Sequence, residues 1–477
     1  MRMLRVALAA AAVLAAPSAA LAQQPALPAD PAAWTTPNVQ YLGSIQQDAG
    51  LTTGAKVVKS TTPGVPDKLF VTSGKNFTIY DISDPANPKT MGTVNESVAW
   101  EGEEVPTNGK VLVTSTDYYS LGSPDCIKAL QGTGCVQFWD VRDPANVKAI
   151  GSVNEANHTS ECALDCAYTY GSDGTIVDAR NVLNGTPPVK IGNWITEIKP
   201  SAANPNGVTS KSCHHIRELR PGVLLTACQP FAVITINPED FPGASPAHPK
   251  VLASGKAAKF VHSARWPRGG TDKFVLTGGE LNFQGRCELN DSEFSTYSAE
   301  KVLAGESTEF EGPIKQTVPT NGTYTDGNAP AGELGCSEHW FQEHPTFKDG
   351  GLVALSQYEN GVKFMQITPD GDIKQVGYFI SAGSSSSSPK WAPDGKTVYS
   401  IDYHRGIDIL RYTGQTYETN GLGKVVYHKG RAKSSSANPP LVALKAARRG
   451  EAQLVRQLRL AGWFPGFCQL ISKARSA

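Results

Sequence analysis

No stretch of this 477-residue sequence reaches the ~20 consecutive apolar residues that a bilayer-spanning helix needs, so it offers no candidate transmembrane helix. Charge of one sign is also missing: 44 basic groups stand against 44 acidic ones, and nothing in that balance suggests a nucleic-acid partner. There is no Gly-x-Gly-x-x-Gly or Walker loop, which leaves nucleotide chemistry without support. No Gly-x-Ser-x-Gly elbow supports a serine nucleophile. The nine cysteines include no Cys-x-x-Cys pair, so a dithiol redox motif or a zinc ribbon is not expected. Calcium loops of the EF-hand kind, with alternating acids, are absent too. Function must therefore be sought in how separated residues are brought together.

What the sequence does contain is a repeat. Ile79–Glu96 and Phe138–Glu155 match at ten of eighteen positions, 59 residues apart. Each copy has an apolar strand ending at Asp81 or Asp140, an Asp-Pro-Ala-Asn turn, and a Lys-x-x-Gly-x-Val return strand. Proline presets the first corner of such a turn, and the Asp and Asn side chains stabilise it locally. Weaker copies follow at Ile176–Gly192, from Val233, at Phe364–Phe379 and at Ile407–Tyr412. A further copy is expected between about 260 and 318, with strands at Phe274–Gly278 and Pro313–Val318 separated by a Gly-, Ser-, Asn- and Glu-rich insertion. One hairpin cannot bury its apolar face alone, and units spaced by roughly 40–60 residues fit a seven-bladed β-propeller of four-stranded antiparallel blades. Tyr41-Leu-Gly-Ser-Ile45 reads like an outer strand with no blade before it, while the last unit stops at Tyr412 without one. The N-terminal strand is expected to complete the C-terminal blade and so remove two exposed edges.

The strands Thr-Ile-Tyr-Asp-Ile (78–82) and Gln-Phe-Trp-Asp-Val (137–141), each followed closely by Asp-Pro-Ala-Asn, resemble the LVIVD-repeat family of secreted bacterial propellers over about 38–412. The resemblance implies a seven-bladed propeller and no particular activity. Residues 1–22 read as an export signal: Arg2 and Arg5, an apolar run from Val6 to Ala16, and Ala20-Leu-Ala22 as a cleavage site. The protein is expected in the periplasm or outside the cell. Cysteines there read first as disulfides. Cys126 with Cys135, Cys162 with Cys166, Cys213 with Cys228 and Cys287 with Cys336 are plausible local pairs, with Cys468 left over.

Residues 431–477 carry nine basic groups and one acid, leaving 33 basic against 43 acidic groups on residues 23–430. The expected organisation is thus a propeller over 38–412, a linker over 413–440 and a basic amphipathic helical tail over 441–477. That tail would dock on the acidic body or contact a membrane surface.

In a propeller the first strand of each blade lines the central channel. Aligning the candidate inner strands puts His158, His215 and His262 at a common level and His339 one position off it, with His214 the alternative to His215. Glu101 of blade two and Ser387 of blade seven fall at the same level. Ser384–Ser388 reads as a flexible entrance loop. Neutral imidazoles converging from a ring are what a late first-row transition metal (Fe, Cu or Zn) takes as ligands. Glu161, Glu218 and Glu338 could orient the rings. The arrangement is similar to the four-histidine iron site of carotenoid-cleaving propellers, a likeness at the level of the fold alone. The competing reading is a polar, water-filled channel whose histidines bond to backbone and solvent. Three functions remain open: an exported binding or scaffold module for an unknown small molecule or protein, a metal-dependent oxidase or oxygenase, and an envelope-tethered adhesion protein acting through the tail.

Overall fold

The computed structural model describes residues 35–47, 51–74, 76–95, 103–115, 136–155, 157–257, 259–280, 292–317, 336–381 and 384–414, with short strand segments at 418–419 and 425–426. It is a ring of seven antiparallel blades. Strand β1 (Val39–Ile45) precedes blade one, which holds β2–β5 (residues 52–94). Blade two holds β6–β8 (111–153), blade three β9–β12 (160–193) and blade four β13–β16 (211–255). Blade five holds β17–β20 (263–317), blade six β21–β24 (341–379) and blade seven β25–β27 (386–412). Six blades have four strands; in blade two three strands are joined by a bridge between Thr107 and Leu112 in place of a full inner strand.

The repeated turns are built alike. Asp84 accepts hydrogen bonds from the backbone N–H of Ala86 at 3.1 Å and from Asn87 Nδ2 at 2.8 Å. Asp143 accepts the same pair from Ala145 and Asn146, at 3.1 and 2.8 Å. The glycine of the return strand follows a bulge: pairing slips between Ile79 and Tyr80 opposite Gly92, and between Phe138 and Trp139 opposite Gly151. Each of these glycines abuts a turn proline of the next blade. A Cβ on Gly92 would lie 1.8 Å from the carbonyl oxygen of Pro144, and one on Gly151 would lie 2.5 Å from Cδ of Pro188. Repeat therefore locks onto repeat, glycine against proline. Gly92→Ala is expected to destabilise the protein by about 2–3 kcal/mol through overpacking against rigid backbone, and urea unfolding checks it. An unchanged midpoint would mean that this contact gives way easily.

Apolar side chains collect between blades, in seven cores for seven interfaces. Phe70, Phe77 and Ile79 of blade one meet Leu112 and Trp139 of blade two, and so on round the ring to Tyr399, Ile401 and Ile409 of blade seven against Ala55, Leu69 and Val71 of blade one. The seventh core exists because the ring closes. β1 pairs with β27 (Gly406–Tyr412) from Val39 opposite Tyr412 to Ile45 opposite Ile407. That is the closure the orphan outer strand predicts.

The expected insertion in blade five is partly a strand, since β19 (Phe294–Ser298) pairs with β18 (Phe274–Gly278) and β20 (Glu311–Thr317). Its Ser and Thr residues hid the strand from a reading based on apolar runs. Ser384–Ser388 is no flexible entrance loop either: its serines are buried, Ser386 opens β25 (Ser386–Trp391), and Ser384 donates to Asp402 at 2.7 Å. Disulfides join Cys162 to Cys166 and Cys213 to Cys228. Cys336 is disulfide-bonded as well, whereas Cys126, Cys135, Cys287 and Cys468 lie outside the described residues. Nearly all of the expected linker, the helical tail and the export signal lie outside them too. Among the described residues no helix is long and apolar enough to cross a membrane.

Candidate metal centre

Five blades and one substitute segment position the centre. His158 stands just before β9 (Ser160–Ala163), His214 lies within β13 (Lys211–Arg220), His262 precedes β17 (Ser263–Arg265) and His339 precedes β21 (Phe341–Glu343). Their rings meet on the axis. His158 Nε2 lies 2.8 Å from His214 Nε2, the His214 and His262 ring centres are 3.7 Å apart, and those of His262 and His339 are 4.4 Å apart. His214, His262 and His339 are buried, and His158 is partly so.

Two carboxylates face these rings. Where blade two lacks a full inner strand, the chain turns into the channel instead and presents Glu103. Its Oε1 is 3.0 Å from His339 Nε2 and its Oε2 is 3.8 Å from His262 Nε2. Glu280, just past β18, puts Oε2 3.5 Å from His262 Nε2 and Oε1 4.0 Å from His339 Nε2. Two buried triads result, Glu103–His214–His262 and His262–Glu280–His339, each with ligand atoms within 4.8 Å of one another.

The carboxylates are themselves held. Trp340 Nε1 donates to Glu103 Oε2 at 2.9 Å, and the Tyr403 hydroxyl donates to Glu103 Oε1 at 2.6 Å. The Tyr358 hydroxyl donates to Glu280 Oε1. Tyr358 takes a left-handed backbone, φ 40°, the kind of local strain that gathers where a side chain must be aimed. His339 Nδ1 lies 2.8 Å from the carbonyl oxygen of Ser387. As the carbonyl can only accept, Nδ1 carries the proton and Nε2 faces the carboxylates.

His214 Nδ1 and His339 Nε2 lack a hydrogen-bond partner, and His262 goes further. It is fully buried, and neither of its ring nitrogens has a hydrogen-bond partner; Glu280 Oε2 beside it has none either. Orphaned buried donors and acceptors cost about 1–3 kcal/mol each, and native structures rarely keep several together. A cation held between His262 Nε2 and Glu280 Oε2, which lie 3.5 Å apart, would satisfy those two acceptors together and leave the ring proton on Nδ1. Their protonation suits that role. Burial, reinforced by the neighbouring imidazoles, holds His262 well below its ordinary value, and burial with His158 does the same for His214, so both keep free lone pairs. Burial opposes a charge on His339, but the Glu103 carboxylate outweighs it and raises that ring. Burial would raise Glu103, yet His339 and the other imidazoles hold its carboxyl well below the usual range. Glu280 is pushed up to about 7, by burial first and by the Glu103 charge, against the pull of His339.

Of the four histidines aligned from the sequence, the structure brings His158, His262 and His339 together. His215 stays apart: its ring packs edge-on against Trp340 at 4.6 Å, and its charged neighbours are Arg217, Glu104 and Arg265. His214 takes its place. The physical reason is a bulge in β13, where pairing slips between Lys211 and His215 and Ser212 adopts φ 51°. Four residues of β13 there face two of β14, so His214 lies in the bulge just before regular pairing resumes at His215, and its ring turns to the axis. Glu101 lies outside the described residues. Ser387 contributes through its backbone carbonyl, its hydroxyl donating to the Thr53 carbonyl at 2.8 Å.

The carboxylates expected to orient the rings do other work. Glu218 accepts the N–H groups of Leu164 and Gly222 at 2.8 and 2.9 Å, Glu161 lies 3.9 Å from Lys56, and Glu338 is buried with neither carboxylate oxygen hydrogen-bonded. Glu103 had a sequence signal in the acidic run Glu101–Glu104 beside Trp100. Glu280, Tyr358 and Tyr403 had none, because nothing local distinguishes them.

No family model matches this chain, and no curated protein matches it. Among solved structures it is similar to one described as "Structure of U3-55K", with 9 % identity, a TM-score of 0.47, and coverage of 79 % of this chain and 99 % of that one.

Proposed function

We propose that the channel is a transition-metal centre, held by His158, His214, His262 and His339 with Glu103 and Glu280, and that the protein is a metal-dependent oxidase or oxygenase of a small molecule. The β-propeller is consistent with a binding or scaffold module, and the enzyme reading gives that module something to do with what it binds. The observation that carries it is His262, buried among two carboxylates and two imidazoles with both ring nitrogens unpartnered. Imidazole with carboxylate is a donor set taken by iron, copper and zinc alike. When bound, a redox metal there would supply one-electron and dioxygen chemistry. The chain's own part is to keep His214 and His262 in their neutral form, to hold Glu103 through Trp340 and Tyr403, and to keep a proton at the Tyr358–Glu280 pair beside the centre. A protein of the LVIVD-repeat type, exported by residues 1–22, agrees with the disulfides at Cys162–Cys166 and Cys213–Cys228.

Elemental analysis of the purified protein, followed by equilibrium dialysis of stripped protein against Fe(II), Cu(II) and Zn(II), tests the reading. One equivalent of metal per chain is the expected result. Failure of all three metals to bind above a chelator-treated control would return the channel to the water-filled reading.

A further inference from the structure

A second polar ring lies along the same channel, three residues further on each inner strand. After Thr53 of β2 (Thr52–Val58) comes Lys56, after His158 Glu161, after His214 Arg217, after His262 Arg265, and after Ser387 Lys390. Three residues of strand advance about 10 Å along the axis. The repetition across five blades makes this ring as regular as the histidine level. Blade six breaks it: Gln342 is turned aside, accepting the backbone N–H of Trp391 at 2.8 Å. Blade two again substitutes its inward segment, which places Glu104 at this level as it places Glu103 at the other.

The charges do not balance. Lys390 Nζ lies 2.6 Å from Glu104 Oε1, Arg265 Nη2 lies 3.4 Å from that same oxygen, and Arg217 Nη2 lies 3.3 Å from Glu104 Oε2. Three cations thus converge on one carboxylate. Arg265 also reaches Glu343 at 3.5 Å, and Lys56 accompanies Glu161, which leaves the group with more positive than negative charge. Arg217 Nε is buried without a hydrogen-bond partner. The ring grades from interior to mouth: the Lys390, Arg265 and Glu104 side chains are 3–4 % exposed, whereas Arg217 is 17 % and Lys56 27 % exposed. Trp340 packs beside both levels, its ring 4.8 Å from that of His262 and 4.6 Å from that of His215, whose charged neighbours include Arg217 and Arg265.

We propose that this ring is an anion-binding site, which takes the carboxylate or phosphate end of a small substrate and holds the rest of the molecule toward the histidine level. Guanidinium forks match planar oxyanions in two-point contact, and a cationic channel with low-dielectric walls concentrates anions. Glu104 occupies the site from within as a tethered competitor. An incoming oxyanion would take the free Arg217 Nε first and share Arg265 and Lys390 with Glu104. The inference names the ligand class for the same channel. It rests on the metal reading only for the chemistry that follows binding, since the binding itself uses different side chains.

The test uses metal-free full-length protein, so that failure here is distinct from failure to bind metal. Unfolding midpoints are measured against rising inorganic phosphate, oxalate and acetate, with acetamide as neutral control and sodium chloride at matched ionic strength. The anions should raise the midpoint saturably and acetamide should not. Preference for oxalate or acetate would indicate a carboxylate substrate, and preference for phosphate a phosphate ester. Arg217→Gln should weaken the response about tenfold, and Glu104→Gln should strengthen it about tenfold, because at a few ångströms one unit charge in partly buried surroundings is worth that much or more. Lys110→Gln, on the surface beside Asp165, should change nothing. The proposal is overturned if no anion exceeds the chloride control, if Arg217→Gln responds like the parent, or if Glu104→Gln responds no more strongly. Should a variant fail to fold, the comparison of acetate with acetamide on the parent protein still decides.

Discussion

Deletion of residues 35–45 is expected to cost about 5 kcal/mol or more, enough to leave the ring only marginally folded. β1 supplies the outer strand of blade seven, with six residue pairs along β27. Val39 and Tyr41 lie in the core between blades six and seven, where Tyr41 stacks on Phe379 at 5.5 Å. Asn38 donates to the Val376 carbonyl at 2.8 Å, tying the strand to blade six as well. Losing two buried side chains of this size costs roughly 2–3 kcal/mol each. The deletion also bares an edge of β27, with unpaired backbone groups that invite association with another chain. Whole domains are stable by only about 5–15 kcal/mol, so the loss should appear as a large drop in urea midpoint together with new oligomers on gel filtration. A truncated protein that melts with the parent would show that the ring does not depend on this strand for closure.

His262→Ala is expected to lower metal affinity by at least about a hundredfold, since loss of a mere outer partner of a ligand already costs 10–100-fold. His262 belongs to both triads, so its removal breaks each of them. The apo fold should change much less. The variant opens a small cavity but also removes two unsatisfied buried nitrogens, and these effects oppose each other to within about 1–2 kcal/mol. Metal content should therefore fall while the unfolding midpoint of stripped protein stays near that of the parent. His214→Ala should behave in the same way, and His215→Ala should keep its metal because its ring faces Trp340 and the cationic level. Retention of full metal content by His262→Ala would dismiss the centre, and loss on His215→Ala with retention on His214→Ala would reverse the assignment in blade four.

How far each result was legible from residues alone depends on how local its cause is. The two Asp-Pro-Ala-Asn turns announce themselves because Asp84 and Asp143 bond within three residues of their own position. β1 was legible as a displaced outer strand because its pattern matched that of β8 (Lys148–Val153). β19 was not, since Phe-Ser-Thr-Tyr-Ser acquires its burial from neighbouring strands and not from its own hydrophobicity. The choice between His214 and His215 turned on a backbone slip at Ser212 that no side-chain pattern records.

The repeat, its turns, the seven-bladed ring and the spacing that carries histidines to four consecutive inner strands are all written in the order of residues. All of these follow from short-range rules of turn chemistry and strand alternation. Only the tertiary structure decided that Glu103 and Glu280 join those histidines, that His262 is left without partners, and that Lys56, Arg217, Arg265 and Lys390 form a level of their own. Glu103 reaches His339 across 236 positions of chain, and ring closure alone, acting through packing between blades, brings groups so distant in sequence to one axis.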